Sequence, residues 1–254
     1  MRIIRFKDKN GQVQFGWIYQ EKVGLIQGDP FGEFRRFEAT MLLSELELLL
    51  PCQPSKILAV GRNYAEHAAE MHNELPAYPM IFMKPPSSLI TSGEPILIPG
   101  QSKQVEHEAE LAIVVGKVSK NLTQENVNEA IFGYTIANDV TARDLQKVDG
   151  QWTRAKGFDT FCPLGPWIDT EFNPSDAMIS CHVNHALRQM GSTKDMTFNS
   201  QKLMIYISSI MTLMPGDVIL TGTPAGVGPL VDGDLVTVTI DGLGTLLNPV
   251  QKAA

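Results

Sequence analysis

The stretch Val105-Glu106-His107-Glu108-Ala109-Glu110-Leu111-Ala112-Ile113-Val114-Val115-Gly116 decides how the chain reads. Leu111 to Val115 is a short apolar run closed by a glycine, the pattern of a buried strand. On a strand, residues two apart face the same side. Glu108 and Glu110 therefore point together, with Cα atoms about 6.5–7 Å apart. Two carboxylates side by side repel, and each raises the other's pKa. A hard divalent cation removes that conflict, because Mg²⁺, Mn²⁺ and Ca²⁺ prefer oxygen ligands. An E-x-E alone is more often a solvated strand end. The neighbouring segments reverse that reading.

Downstream, Tyr134 to Val140 reads as a strand carrying Asn138-Asp139, and Asp139 offers a third carboxylate. Three carboxylates with positions left open for water and substrate suit Mg²⁺ or Mn²⁺. Thr141 to Gln146 starts a helical turn on which Arg143 and Gln146 share a face. Arginine grips a carboxylate bidentately, and glutamine donates to a carbonyl. Lys156, in Trp152 to Asp159, lies among apolar and small residues, a setting open to partial desolvation, and taken alone it reads as a surface lysine. Thr221 to Gly228 is a glycine-rich turn that admits close backbone approach to a ligand, with Thr223 offering a hydroxyl to a carboxylate, although such stretches are commonly only turns.

Upstream, Ile57 to Val60 is a short strand closing at Gly61. Asn63 fits an N-cap, and Glu66 three later resembles a capping box. On the short helix that follows, His67 and Glu70 share a face. A carboxylate beside an imidazole orients it, which makes a general base able to activate water. The same spacing also describes a solvated surface pair. Lys84, after the Met80 to Met83 strand, reads as a surface lysine.

The remaining segments set the fold class. Ile3 to Phe6 and Val13 to Tyr19 flank Asn10-Gly11, a hairpin signal, and Val23 to Ile26 adds a strand. Met41 to Leu50 has a helical look, and Pro51 and Pro54 predict a lobe boundary near residue 53. Thr123 to Ala130 reads as a capped helix. Asn184-His185 reads as a two-residue hairpin turn. Ser200 to Leu213 reads as an amphipathic helix burying Leu203, Ile207 and Ile210. Asp234 to Ile240 and a strand near Thr245 to Leu247 close the chain. The expectation is a mostly β protein with short helices (α+β), a small lobe over 1–53 and a catalytic domain over 54–254.

The formal net charge of −7 disfavours nucleic acid as a partner and means an anionic substrate needs local cations. Cys52, Cys162 and Cys181 form no C-x-x-C pair, which predicts a reducing, cytoplasmic setting and a buried structural thiol at Cys162. The start of the chain lacks the apolar core of a signal peptide, and no apolar run approaches the ~20 residues of a membrane span.

Taken in order, these blocks resemble the fumarylacetoacetate hydrolase family. They are Gly61-Arg62-Asn63-Tyr64 with His67 and Glu70, Glu108-Ala109-Glu110-Leu111-Ala112, and Asp139 to Gln146. Ala155-Lys156-Gly157-Phe158, Leu187-Arg188-Gln189 and Thr221 to Gly228 complete the series. The resemblance runs from about residue 54 to 250, with residues 1–53 resembling the family's variable N-terminal lobe. It implies a rolled mixed β-sheet around a metal site, and a homodimer. It implies Mg²⁺ or Mn²⁺ on Glu108, Glu110 and Asp139, and His67 with Glu70 activating water on a mobile lid. It further implies that Arg143, Gln146 and Lys156 hold an oxo-acid and stabilise its enolate, while Thr223 contacts a carboxylate or carbonyl. His185 departs from the family, which often has glycine there.

Such a site chelates a 2-oxo acid through its carboxylate and 2-oxo oxygen, and a cation steadies the enolate left when a C–C bond breaks. The expected activity is hydrolysis of an acylpyruvate such as fumarylpyruvate, or decarboxylation of oxaloacetate. The alternatives are a tautomerase or isomerase of oxaloacetate or of 2-hydroxymuconate-type dienoates, and a non-catalytic protein that binds metal and oxo-acid.

Overall fold

In the computed structural model, which describes residues 1–253, Ala109–Val115 is an inner strand of the largest sheet. It is buried along its whole length, which explains an apolar run instead of an alternating one. Its antiparallel neighbours are Ile131–Asn138 on one side and Val218–Leu220 on the other. Beyond Val218–Leu220 come Ile57–Gly61, in parallel pairing, and then Met80–Lys84. Beyond Ile131–Asn138 come Cys162–Asp169 and the N-terminal strands.

A second, five-stranded sheet runs in the order Ala186–Ser192, Met178–Val183, Leu235–Ile240, Gly244–Lys252 and Ile96–Ile98. One apolar core joins the two sheets, with Leu111, Ile113 and Ile136 from the first meeting Ile179, Val238, Ile240 and Leu246 from the second. The helix Ser200–Ile210 adds Leu203, Met204 and Ile207 to that core. The fold is therefore mostly β with short helices, as expected.

Residues 2–42 form a four-stranded antiparallel meander with a small core of Ile4, Phe6 and Val23. Its first strand pairs with Cys162–Asp169, so its sheet is continuous with the large one. The Asn184-His185 turn has φ of +50° and +68°, as a two-residue hairpin demands, and histidine bears that left-handed geometry at some cost.

Three expectations are corrected. Met41 to Leu50 is not helical: it holds the end of the strand Phe34–Leu42, one 3₁₀ turn and the strand Glu47–Leu49. Pairing with Lys22–Gly28 and Arg2–Lys7 overrides the local leucine-rich pattern. Thr123 to Ala130 yields only a 3₁₀ turn at Val127–Ala130, because the Asn126 side chain accepts a hydrogen bond from Thr123 N and stabilises a turn instead. The last helix ends at Ile210, whose side chain is half exposed, and Leu213 reaches the core from the segment beyond it. No helix among the described residues is long and apolar enough to cross a membrane.

Candidate metal centre

The chain changes sheets at Glu108. Val105–His107 pairs with Thr141–Ala142 in a small three-stranded sheet, and Ala109 opens the long strand. Two bonds fix the crossing: Glu108 N donates to Asn138 Oδ1 at 2.9 Å, and Asp139 N donates to Glu108 O at 2.8 Å. The register Ala109 opposite Asn138 thus carries Asp139 to the side of Glu108. Glu108, Glu110 and Asp139 are all buried, each with a carboxylate oxygen within 4.8 Å of the others'.

Three cations surround the triad. Lys156 Nζ donates to Glu108 Oε2 at 2.8 Å and to Asp139 Oδ2 at 2.6 Å. Arg143 donates to Glu108 through Nη2, to Glu106 Oε2 through Nε at 2.6 Å, and to Gln146 Oε1 through Nη1 at 2.6 Å. Lys84 Nζ donates to Asp139 Oδ1 at 2.7 Å and Val140 O at 3.2 Å. Lys84 is therefore no surface lysine, being 1% exposed. Lys84 lies two residues from Phe82 and so shares its face of the Met80–Lys84 strand. Glu106 was missed as well, though it continues the two-residue period of Glu108 and Glu110.

With Glu106, four carboxylates meet three cations, so one negative charge is in excess. It falls on Glu110, which no lysine or arginine bridges among the described residues and which accepts one bond from Gly222 N at 2.6 Å. Burial, reinforced by Asp139 and Glu108, pushes the Glu110 carboxyl well above the usual range. Burial also acts against the ionised form of Glu108, but Lys156 and Arg143 outweigh it and hold that carboxyl well below its ordinary value. The Lys156 ammonium is likewise kept protonated, because Asp139 and Glu108 more than offset its burial. An all-oxygen donor set with one carboxylate lacking a cation fits a hard divalent ion.

The site opens into a cavity of about 310 Å³, lined by the triad, Arg143, Gln146, Lys156, His67 and Thr223 among others. His67 and Glu70 sit on the helix Ala65–Glu70, with His67 Nδ1 3.1 Å from Glu70 Oε2. Glu70 also accepts from Gly226 N at 3.0 Å, which ties this helix to the glycine-rich loop. Asn63 does not cap the helix; Tyr64 holds that position. The Asn63 amide instead donates to Thr221 O at 2.7 Å and Phe198 O at 2.9 Å, and accepts from Phe198 N.

Thr223 lines the cavity, yet its hydroxyl donates to Ala109 O at 2.8 Å and accepts from Gln189 Nε2 at 2.7 Å. Its proton is spent on the framework. Gln189, fully buried, also accepts from Ala109 N and joins the metal-bearing strand to the glycine-rich loop. Cys162 is buried with its thiol pushed up to about 12 by that burial, which agrees with a structural role.

Gly222 has φ +95°, and a Cβ there would lie 2.7 Å from Asn63 Cβ. Gly222→Ala is expected to displace the N–H that holds Glu110 and to weaken Mn²⁺ binding roughly 10-fold or more, read by calorimetric titration.

Comparison with known proteins identifies the family. The family model described as fumarylacetoacetate (FAA) hydrolase C-terminal matches residues 56–251, and a model described as Rv2993c-like, N-terminal matches residues 1–51. Protein Rv2993c of Mycobacterium tuberculosis is 49% identical over 226 residues, 88% of this chain and 85% of that one. The mitochondrial oxaloacetate tautomerase fahd2 of Xenopus laevis is 44% identical over 82% of this chain and 69% of its own. The mitochondrial oxaloacetate decarboxylase of Dictyostelium discoideum is 45% identical over 75% of this chain and 90% of its own. A crystal structure of 2-hydroxyhepta-2,4-diene-1,7-dioate isomerase from Mycobacterium marinum superposes with a TM-score of 0.93 at 43% identity, covering 100% of this chain and 99% of that one. Family match, fold and carboxylate cluster converge on one conclusion: the chain belongs to the fumarylacetoacetate hydrolase family.

Proposed function

We propose that this chain is a divalent-metal-dependent enzyme that takes a small 2-oxo acid of the oxaloacetate class through an enolate: the pyruvate enolate left by loss of CO₂ in decarboxylation, or the substrate's own enolate formed by loss of a C3 proton in tautomerisation. One observation carries the reading: an ammonium kept charged, Lys156, is buried between two members of a carboxylate triad on the wall of the cavity. A Mg²⁺ or Mn²⁺ ion held by Glu108, Glu110 and Asp139 would supply a Lewis acid for the substrate's carboxylate and 2-oxo oxygen. Lys156 remains an ammonium and so acts as a donor to a developing oxyanion, not as a base. Arg143, anchored by Glu106 and Glu108, lines the cavity. Gln146 accepts from Arg143 through Oε1, which leaves its NH₂ to donate to the substrate. His67, oriented by Glu70, moves a proton at the substrate's C3 or at a water. The tautomerase and decarboxylase names among the relatives support oxaloacetate as the substrate class.

Hydrolysis of an acylpyruvate is the second reading, and the His67–Glu70 pair favours it because hydrolysis needs a base for water. Fumarylpyruvate and water would give fumarate and pyruvate.

The test is NMR and mass spectrometry of products from oxaloacetate, fumarylpyruvate and acetylpyruvate, run against metal-only controls. Oxaloacetate is expected to be converted faster than by the metal alone, and EDTA is expected to abolish the difference. Conversion that survives complete metal removal, or no conversion of any of the three, overturns the reading.

A further inference from the structure

The cations lining the cavity fall into two groups. Arg143 and Lys156 are buried and bound to carboxylates. Arg62 and Lys147 line the same cavity, and no ion pair engages either among the described residues. Arg62 is half-buried and has φ +59°, a left-handed backbone that arginine adopts at a cost and that glycine or asparagine adopts readily. Lys147 follows Gln146 on the helix Arg143–Asp149, at i+4 from Arg143 and thus on the same face. Phe82 and Trp152 meet edge to face at 5.1 Å and form an apolar wall of the same cavity, with Trp152 packed against Gly61 beside Arg62.

Resting on the 2-oxo acid reading above, we infer that Arg62, assisted by Lys147, binds a second carboxylate at the far end of the substrate and selects dicarboxylates. With a divalent ion on the triad, the four carboxylates, three buried cations and the ion leave one positive charge, which the substrate's first carboxylate takes up, so a second anionic group must find its charge elsewhere. Arg62 and Lys147 are the two lining cations with that charge to give. A planar guanidinium supplies a bidentate site, and Lys147 adds a point charge beside it. The Phe82–Trp152 wall covers the uncharged middle of such a ligand.

The test is a calorimetric titration of the full-length Mg²⁺-loaded protein with two ligands of equal chain length, 2-oxoglutarate and 2-oxopentanoate. They differ in one terminal carboxylate. The wild-type chain is expected to bind the dicarboxylate roughly 10- to 100-fold more tightly. Arg62→Asn removes the charge while tolerating the left-handed backbone, and is expected to erase most of that preference. Lys147→Gln, at an exposed helical position, is expected to reduce it in part. A wild-type chain with no preference for the dicarboxylate overturns the inference, as does an Arg62→Asn variant that keeps the full preference. Binding requires no turnover, so a chain that binds selectively yet converts no oxo-acid would fail the proposed function and leave this inference standing.

Discussion

Lys156→Met is expected to lower kcat on oxaloacetate by about 10²- to 10³-fold, the cost of losing one oxyanion donor in a dry site. The same change should leave Mn²⁺ affinity undiminished or raise it. Lys156 is 2% exposed and holds Glu108 and Asp139 apart from each other's charge. With methionine there, the site loses a cation and its negative excess grows, which penalises the metal-free protein and rewards a bound ion. Breaking a buried ion pair on one side costs about 3–5 kcal/mol. The metal-free variant should therefore unfold at markedly lower denaturant concentration, with most of the loss recovered on adding Mn²⁺. Three measurements check this: kcat, calorimetric metal affinity, and urea unfolding with and without the ion. A variant that is equally stable in both states would show that Lys156 does not share the metal's electrostatic role. Full retained turnover would remove it from the chemistry.

How much of this was legible in the sequence differs by feature. Glu108 and Glu110 could be read as neighbours because they lie two apart in one extended stretch, but the break between the strands at Glu108, which leaves only Glu110 on the long strand, was not legible. Asp139 was readable as a candidate, but its meeting with Glu108 rests on the Ala109–Asn138 register, a long-range pairing that no local pattern states. Lys84 was misread because a lysine after an apolar strand is normally solvated. Its burial follows from Met80–Lys84 lying at the end of the large sheet, with its last residue delivered to Asp139. Asn63 was misread for a related reason: asparagine before a helix is a common cap, but here its amide bridges Thr221 and Phe198, segments more than a hundred residues away. The Met41 to Leu50 error has the same root, since two strands waiting for partners overrode a locally helical pattern. Charge balance was not readable at all. Which carboxylate lacks a cation depends on three side chains arriving from three separate elements, and that places the excess on Glu110.

His67→Ala is expected to separate the reactions that pass through an enolate. Hydrolysis of an acylpyruvate needs a base to take a proton from water, and tautomerisation of oxaloacetate needs one to take a proton from C3. Both should fall by about 10²- to 10⁴-fold, the usual contribution of a positioned general base. Decarboxylation begins instead with loss of CO₂ from the C4 carboxylate, which requires electron withdrawal at the 2-oxo group and no base. The pyruvate enolate it leaves can take its proton from solvent. Decarboxylation should therefore fall by less than about 10-fold. The substitution should not dislodge the helix that carries His67, because Glu70 remains tied to Gly226 N and the Asn63 amide still clamps the entry to the helix. Unchanged thermal unfolding of the variant would confirm that the losses are chemical. Product analysis then sorts the outcomes: a chain whose main reaction survives is a decarboxylase, and a chain whose main reaction collapses uses the base. If all three rates are unaffected, the His67–Glu70 pair is a docking contact between the helix and the glycine-rich loop and takes no part in moving protons.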